Sequence, residues 1–247
     1  MRFFFFIIMP ILVHSQTNLI DSNSLKQGHW QLFFPFNSDD IVSEEGSFVN
    51  DLEEGLWFRY HENGQLREIC NYREGKLNGV RISLSKRGKL NEQEFYNEGR
   101  YDGRQIYFHD NGKINEDVFY ILGVKHGLYS KYYRNGKIQE SCIYVNGFKD
   151  GLAKWYFDNE KISIKYNYSM GVIVDTVFAY YKNGNLKSQS FYKNNELNGD
   201  KIIYFPNGVV QERGSFVNGK KNGDWCVYDS LGVKIECVRY KHGLRND

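Results

Sequence analysis

A 24-residue period governs this chain. Glycines stand at 55, 79, 103, 127, 151, 199 and 223, in steps of 24 residues or twice that, with Asp175 in the missing place. A second landmark falls nine residues into each unit, at Gly64, Gly88, Gly112, Gly136, Gly184, Gly208 and Gly232, with Glu160 as the exception. Asn precedes it in six units, as in Asn63, Asn111 and Asn135. Asn-Gly between apolar runs is a hairpin signal, because both residues tolerate positive φ. A third landmark comes twenty residues in, from Gly75 to Gly243, with Asn195 in the sixth unit. Each unit therefore carries two turns. A repeat this regular leaves few folds open: each unit must be one supersecondary element that buries its apolar face only against its neighbours.

The segments between turns have strand composition. Tyr60, Phe108, Tyr132 and Tyr156 recur five residues in, Leu66, Leu90, Ile114 and Ile138 eleven in, and Tyr72, Tyr96, Tyr120 and Tyr144 seventeen in. β-branched and aromatic residues at fixed places in short runs read as strands. No window shows a helical period with caps. Only 3 of the 247 residues are Pro, against 24 Gly, as expected where Pro would interrupt ladders.

The expected fold is all-β: an elongated single-layer antiparallel meander of tandem β-hairpin repeats. Eight regular units span 55–247, and a divergent N-terminal unit spans 28–54. Gly28-His-Trp30 resembles Gly55-Leu-Trp57, and Gly46-Ser-Phe-Val-Asn50 recurs word for word at 214–218. Gly28 to Gly55 is 27 residues, which implies a three-residue insertion, placed around Pro35 to Asp40. Residues 16–27 are polar and read as a flexible lead-in. Strands about 4.8 Å apart make each hairpin advance the sheet by roughly 10 Å.

The N-terminus reads as an export signal over residues 1–15. Met1 and Arg2 precede an apolar run from Phe3 to Val13, with a cleavage-like site between Ser15 and Gln16. The run is too short for a mature spanning helix, and no later segment is long and apolar enough to be one. The expectation is an exported chain, periplasmic, cell-surface or extracellular. Net charge is +2, from 32 basic and 30 acidic residues, which argues against a nucleic-acid binder.

The recurring pattern G-x-W-x-x-Y-x-x-N-G-x-L-x(5)-Y-x-x-G-x-x-x-G resembles the MORN-variant repeat, also known as antitoxin-like. Gly55, Trp57, Tyr60, Asn63, Gly64, Leu66, Tyr72, Gly75 and Gly79 carry it in the first regular unit, and the likeness covers residues 28–247. The resemblance implies a single-layer meander serving as a binding scaffold, with antitoxin-like inhibition of a partner protein as a remote alternative. Arg81, Gln105, Ala153, Val177 and Lys201 stand where the pattern has Trp, and Asp175 and Glu160 replace glycines. Units five and six are therefore where a bend or a specialised surface is expected.

Candidate binding residues fall in two rows. Glu68, Glu92, Glu116, Glu140, Glu212 and Glu236 stand thirteen residues into their units. They share a strand face with the Leu/Ile and Tyr positions. They form either an acidic binding row or, the favoured reading, carboxylates paired with neighbouring Lys, Arg or Tyr. Trp57, Tyr72, Tyr96 and Tyr144 belong to an aromatic row that either stacks sugars or packs hairpin on hairpin. Cys70 and Cys142 are about 30 Å apart and cannot bond to each other. Cys226 and Cys237 flank one turn, and form a disulfide if an even count of residues sets them opposite, or free thiols if a bulge shifts them. His61 and His109 lie roughly 20 Å apart, and no Cys/His cluster has zinc spacing. No nucleophile, base and oxyanion set is legible. The expectation is therefore a non-enzymatic scaffold without cofactor or metal, binding a protein or peptide partner. The alternative is a glycan or cell-envelope binder using the aromatic rows.

Overall fold

The computed structural model describes residues 17–35 and 41–246. The signal segment 1–15, its cut at Ser15 and all but the first residue of the insertion placed at Pro35 to Asp40 lie outside the described residues. The strands, in chain order, are β1 Leu19–Ile20, β2 Lys26–Phe33, β3 Val42–Val49, β4 Leu52–Tyr60, β5 Leu66–Arg73, β6 Lys76–Leu84 and β7 Leu90–Asn97. There follow β8 Arg100–Tyr101, β9 Gly103–Phe108, β10 Ile114–Ile121, β11 Val124–Tyr132, β12 Ile138–Val145, β13 Phe148–Tyr156 and β14 Ile162–Ser169. The last are β15 Val172–Tyr180, β16 Leu186–Lys193, β17 Glu196–Tyr204, β18 Val210–Val217, β19 Lys220–Tyr228, β20 Lys234–Lys241 and β21 Leu244–Arg245. Each pairs antiparallel with its sequence neighbour, except that β8 and β9 share the edge of β7 as two halves of one strand position. The result is one open meander.

The 24 residues divide into a nine-residue strand, a five-residue connection, an eight-residue strand and a two-residue turn, as in β4, 61–65, β5 and 74–75. The two turns differ in kind, and the sequence signal sits on the less obvious one. At the Asn-Gly turn only the glycine has positive φ, 77° at Gly64, and Asn63 does not. Gly64 N–H donates to His61 O and His61 N–H to Gln65 O, both at 2.8 Å. This is a three-residue loop closed by a left-handed glycine, followed by a bulge between Arg59 and Tyr60. Asn is selected for another reason. Its side-chain oxygen accepts from the N–H two residues on, and its amide donates to a carbonyl 23 residues on in the next unit. The paired-positive-φ turn is the other one, at Glu74–Gly75 (52° and 73°), Leu122–Gly123 (48° and 87°) and Met170–Gly171 (47° and 83°). Both residues of a type I′ turn must be left-handed, so Leu122 and Met170 hold a conformation their side chains disfavour.

Between units, the register slips by two. Cys70 pairs with Arg81 and Tyr72 with Leu77, so three residues including Gly79 oppose Asn71 alone. The same bulge recurs at each inter-unit pairing, and it bends the sheet.

The segment 16–27, expected as a flexible lead-in, takes up strand and turn structure from Leu19 onward. Leu19–Ile20 pairs with Lys26–Gln27. Asp21 Oδ1 accepts the N–H groups of Asn23 and Leu25 at 2.8 and 3.0 Å. The polar residues there make a turn and half-cover the edge of β2, which would otherwise present bare backbone groups.

A single layer has no second layer to pack on, so most burial comes from one packed face, with Ile106, Ser130 and Cys226 buried on the other. On this packed face Trp57, Cys70, Val118, Cys142 and Ala153 are at most 3% exposed. Large residues sit over small ones. A Cβ on Gly46 would lie 2.3 Å from the Trp57 ring, and one on Gly214 would lie 2.1 Å from the Trp225 ring. That explains the word-for-word repeat of the Gly-Ser-Phe-Val-Asn segment. In both copies the glycine seats a Trp from the next strand, and the Phe two residues on meets that Trp edge-on, with centroids at 4.8 and 5.1 Å.

Candidate binding surface

The candidate rows read from sequence turn out to belong to the packed face. Trp57 is 1% exposed, and Glu68 and Glu140 are 9% and 8% exposed. Arg59 donates to Glu44 at 2.7 Å, to Glu53 and Glu68 at 3.3 Å and to the Tyr72 hydroxyl at 3.1 Å. Arg81 bonds Glu68 as well, with Glu92 at 3.0 Å and Glu94 at 2.5 Å. Lys149 pairs with Glu140, and the Trp225 indole N–H donates to Glu212. Tyr96 donates to Glu94 at 2.9 Å, and Tyr144 packs edge-on against Tyr129. Glu116 is half-buried, and Glu236 lies at the exposed end with Arg245 at 3.8 Å. An acidic or aromatic binding row over Glu68, Glu140, Trp57 and Tyr72 is therefore set aside. A single-layer sheet needs these groups against each other to exist.

Glu94 shows how such carboxylates are held. Burial alone would raise its pKa. Hydrogen bonds from Tyr101, Arg81 and Tyr96 outweigh that and keep it below the usual carboxylate range. Lysines two residues before the first-landmark glycine complete the face. Lys26 lies over Trp30 and Phe48 at 5.0 and 4.7 Å, Lys125 over Tyr129 at 5.2 Å, and Lys221 over Trp225 at 3.9 Å.

The cysteines and histidines also have structural places. Cys226 and Cys237 are directly paired across β19 and β20 and disulfide-bonded. The odd three-residue loop and the one-residue bulge beside it together restore an even count, which sets them opposite. Cys70 and Cys142 are buried free thiols, and burial pushes Cys142 up to about 11. The His61 and His109 rings each bond a carbonyl 23 residues on, Leu84 O and Tyr132 O. Among the described residues no group of three or more His, Cys, Asp or Glu is placed to hold a metal ion.

What remains for binding is the opposite, open face. It carries the residues three places before and one and three places after the first-landmark glycine, and those fourteen, sixteen and eighteen places after it, although the column three places after is itself buried at Ile106, Ser130 and Cys226. In the outer units these columns mix exposed apolar residues such as Leu52, Leu56 and Phe191 with Asn71, Arg73, Arg100, Arg104, Asp200, Ser215, Asp224 and Arg239. In β10–β13 all but the columns three and fourteen places after the glycine are apolar. Phe119 is 41% exposed, Ile121 45%, Val124 45%, Leu128 64%, Ile143 48%, Phe148 53% and Leu152 45%. Leu128 pairs directly with Ile143. Together these side chains form an exposed apolar group on four neighbouring strands. The strained turn residues Leu122 and Met170, 48% and 50% exposed, lie beside the patch. Sequence reading missed this patch, because the same columns carry apolar residues in other units too, as at Leu56, Phe95 and Phe191, and only the strand register gathers those of β10–β13.

Units five and six hold a second feature. A hollow of about 490 Å³ opens on the same face, lined by Thr176, Phe178, Gln189, Phe191, Asn198 and Asp200. It follows Asp175, which keeps the glycine conformation at φ 65°.

A family model described as MORN repeat variant matches residues 53–74, 101–121, 125–146, 149–170, 176–194 and 197–218, together about half of the chain. Most matches cover one hairpin from one two-residue turn to the next. No curated protein is matched.

Proposed function

The chain belongs to the MORN repeat variant family, whose repeats build scaffolds that bind proteins or membranes, and on that footing we propose an exported, non-catalytic scaffold that docks a protein or peptide partner on its open face. The carrying observation is the group of exposed apolar side chains on β10–β13, where Leu128 pairs directly with Ile143 and Phe119, Ile121, Val124, Phe148 and Leu152 stand on the same four strands. Unfilled apolar area of that extent is costly in water and is retained where a partner covers it. Export is supported by the pattern of Met1 to Gln16. Antitoxin-like inhibition would be one use of the same face.

The test is retention of cell-envelope proteins by the immobilised chain and by a variant carrying Leu128→Asp and Ile143→Asp. Both positions are exposed, so the variant should fold. The reading expects a discrete set of proteins on the wild type and its loss on the variant. Equal retention by both would remove the patch as the docking site. The intact mass of the secreted chain, expected to begin at Gln16, checks export separately.

A glycan reading survives at a different place from the one the aromatic rows suggested. The hollow beside Asp175 sets Phe178 and Phe191 among Gln189, Asn198 and Asp200, apolar faces with amide and carboxylate partners of the kind sugars use. A glycan array with wild type and Phe191→Ala separates this reading from protein docking.

A further inference from the structure

We infer that the open face over β15–β19 holds a linear, uncharged oligosaccharide, with successive sugar rings in two adjoining hollows that share Asp200. The inference deepens the glycan reading given above and rests on it.

The column one place after the first-landmark glycine opens the hollows. It holds Leu128 and Leu152 in β11 and β13, and shortens to Thr176, Asp200 and Asp224 in β15, β17 and β19. The first hollow, of about 490 Å³, lies over β15–β17, and a second, of about 260 Å³, lies over β17–β19. Asp200 lines both. Together they cross five strands, roughly 20 Å at the usual spacing. Their floor is one row in direct register: Phe178, Gln189, Ile202 and Arg213. Phe191 completes the first hollow. Its side chain leans on Gly199, where a Cβ would lie 3.0 Å from Phe191 Cβ and Cδ1. Phe95 and Phe119, in the same column, stand off at 3.4 and 4.0 Å from Gly103 and Gly127. Gly199 has φ 145°, against 104° or less at the other first-landmark glycines. The phenyl ring is thereby laid towards the sheet and stays 40% exposed, a platform for the apolar face of a sugar ring.

Hydrogen-bonding groups around this platform are unspent. Ser215 Oγ donates to Asp200 Oδ1 at 2.6 Å, and among the described residues Oδ2 accepts from none. The half-buried Gln189 amide makes no hydrogen bond among them either. Nor does Arg213 have an ion pair among them; its guanidinium lies 5.6 Å from the Tyr228 ring. A carboxylate, an amide and a guanidinium beside apolar faces suit hydroxyl groups, which donate and accept at once. A peptide laid here would need main-chain partners from a free edge. β15–β19 offer none, because each is paired on both sides. Charge favours a neutral sugar. Asp224 is paired with Arg239 at 3.3 Å, which leaves Asp200 and Arg213 to offset each other in the second hollow.

Isothermal titration of the purified full chain tests this, with size-graded oligomers, from monosaccharide to hexasaccharide, of the neutral sugar that the glycan array retains best. Affinity should rise about tenfold or more with chain length until both hollows are filled, then level off. Asp200→Asn keeps the shape and should weaken every oligomer about tenfold, the loss of a charge-assisted hydrogen bond. Asp224→Leu puts into the second hollow the side chain that Leu128 and Leu152 carry in the same column. It should leave the monosaccharide's affinity unchanged and remove the gain with length. Affinity independent of length, a gain that survives Asp224→Leu, full affinity in Asp200→Asn or a preference for charged sugars overturns the groove. The glycan reading then stands by itself if Phe191→Ala still abolishes retention. An array that retains nothing removes both.

Discussion

At the scale of single residues, the packed face is a set of close fits with little tolerance. Gly46 and Gly214 lie under tryptophan rings that a Cβ would enter. Gly46→Ala and Gly214→Ala should each lower stability by about 1–3 kcal/mol through overpacking, read as a fall in denaturant midpoint. Gly64→Ala, open on all sides, tests backbone strain alone and should cost about 1–2 kcal/mol. Carboxyls and tyrosines of the sheet and its turns give a pH signature. The carboxyls of Asp21, Glu45, Glu94 and Asp158 are lowered from their ordinary values, and only Glu53 is raised. A lowered carboxyl contributes stability that is present above the ordinary range and lost as pH falls through it. Tyr60 and Tyr72 are pushed up to about 12, chiefly by burial, so their contribution is present below 10 and lost as pH rises from 10 to 12. Melting temperature against pH should fall at both ends and stay level between; a level acid limb would show that these carboxylates are not held as described.

At the scale of elements, the turns decide how much of the fold could be read in advance. Period, strand composition and meander were legible because each unit repeats the same landmarks, and the family match follows them. Turn types were not legible. The recurring Asn-Gly of the second landmark marks the turn where only glycine is left-handed, while the I′ turn takes Leu122, Met170 and Glu74 as well as Asn146 and Asn218 in its first left-handed place. Tertiary closure overrides local preference there. Met170→Gly and Glu160→Gly should therefore stabilise the chain, each by about 1 kcal/mol, measured by chemical denaturation. An unchanged midpoint would mean that neighbours relieve the strain. The disulfide belongs to this scale too. β20 is exposed along most of its length, and the Cys226–Cys237 bond adds a covalent tie to its ladder with β19. Reduction should raise amide exchange in 229–245 by tenfold or more and leave β4–β13 unaffected; protection that survives reduction would show that pairing alone holds the end.

At the scale of the molecule, the two faces divide the work. Conserving one pattern across units builds the packed face, so a reading tuned to what recurs finds Glu68, Trp57 and Tyr72 and takes them for a site. Binding lies in what does not recur. Phe119, Leu128, Ile143 and Phe148 occupy columns that vary between apolar and polar residues from unit to unit, and only the three-dimensional register shows that they adjoin. The direct test is site-specific photocrosslinking in the producing cell, with a photoreactive phenylalanine analogue in place of Leu128, Ile143, Asp200 or Asp224, one at a time. All four lie on the open face in β11, β12, β17 and β19. Adducts at 128 and 143 with little or none at 200 and 224 are the expected result. Equal adducts at all four, or adducts only at the polar pair, would contradict a docking face centred on β10–β13.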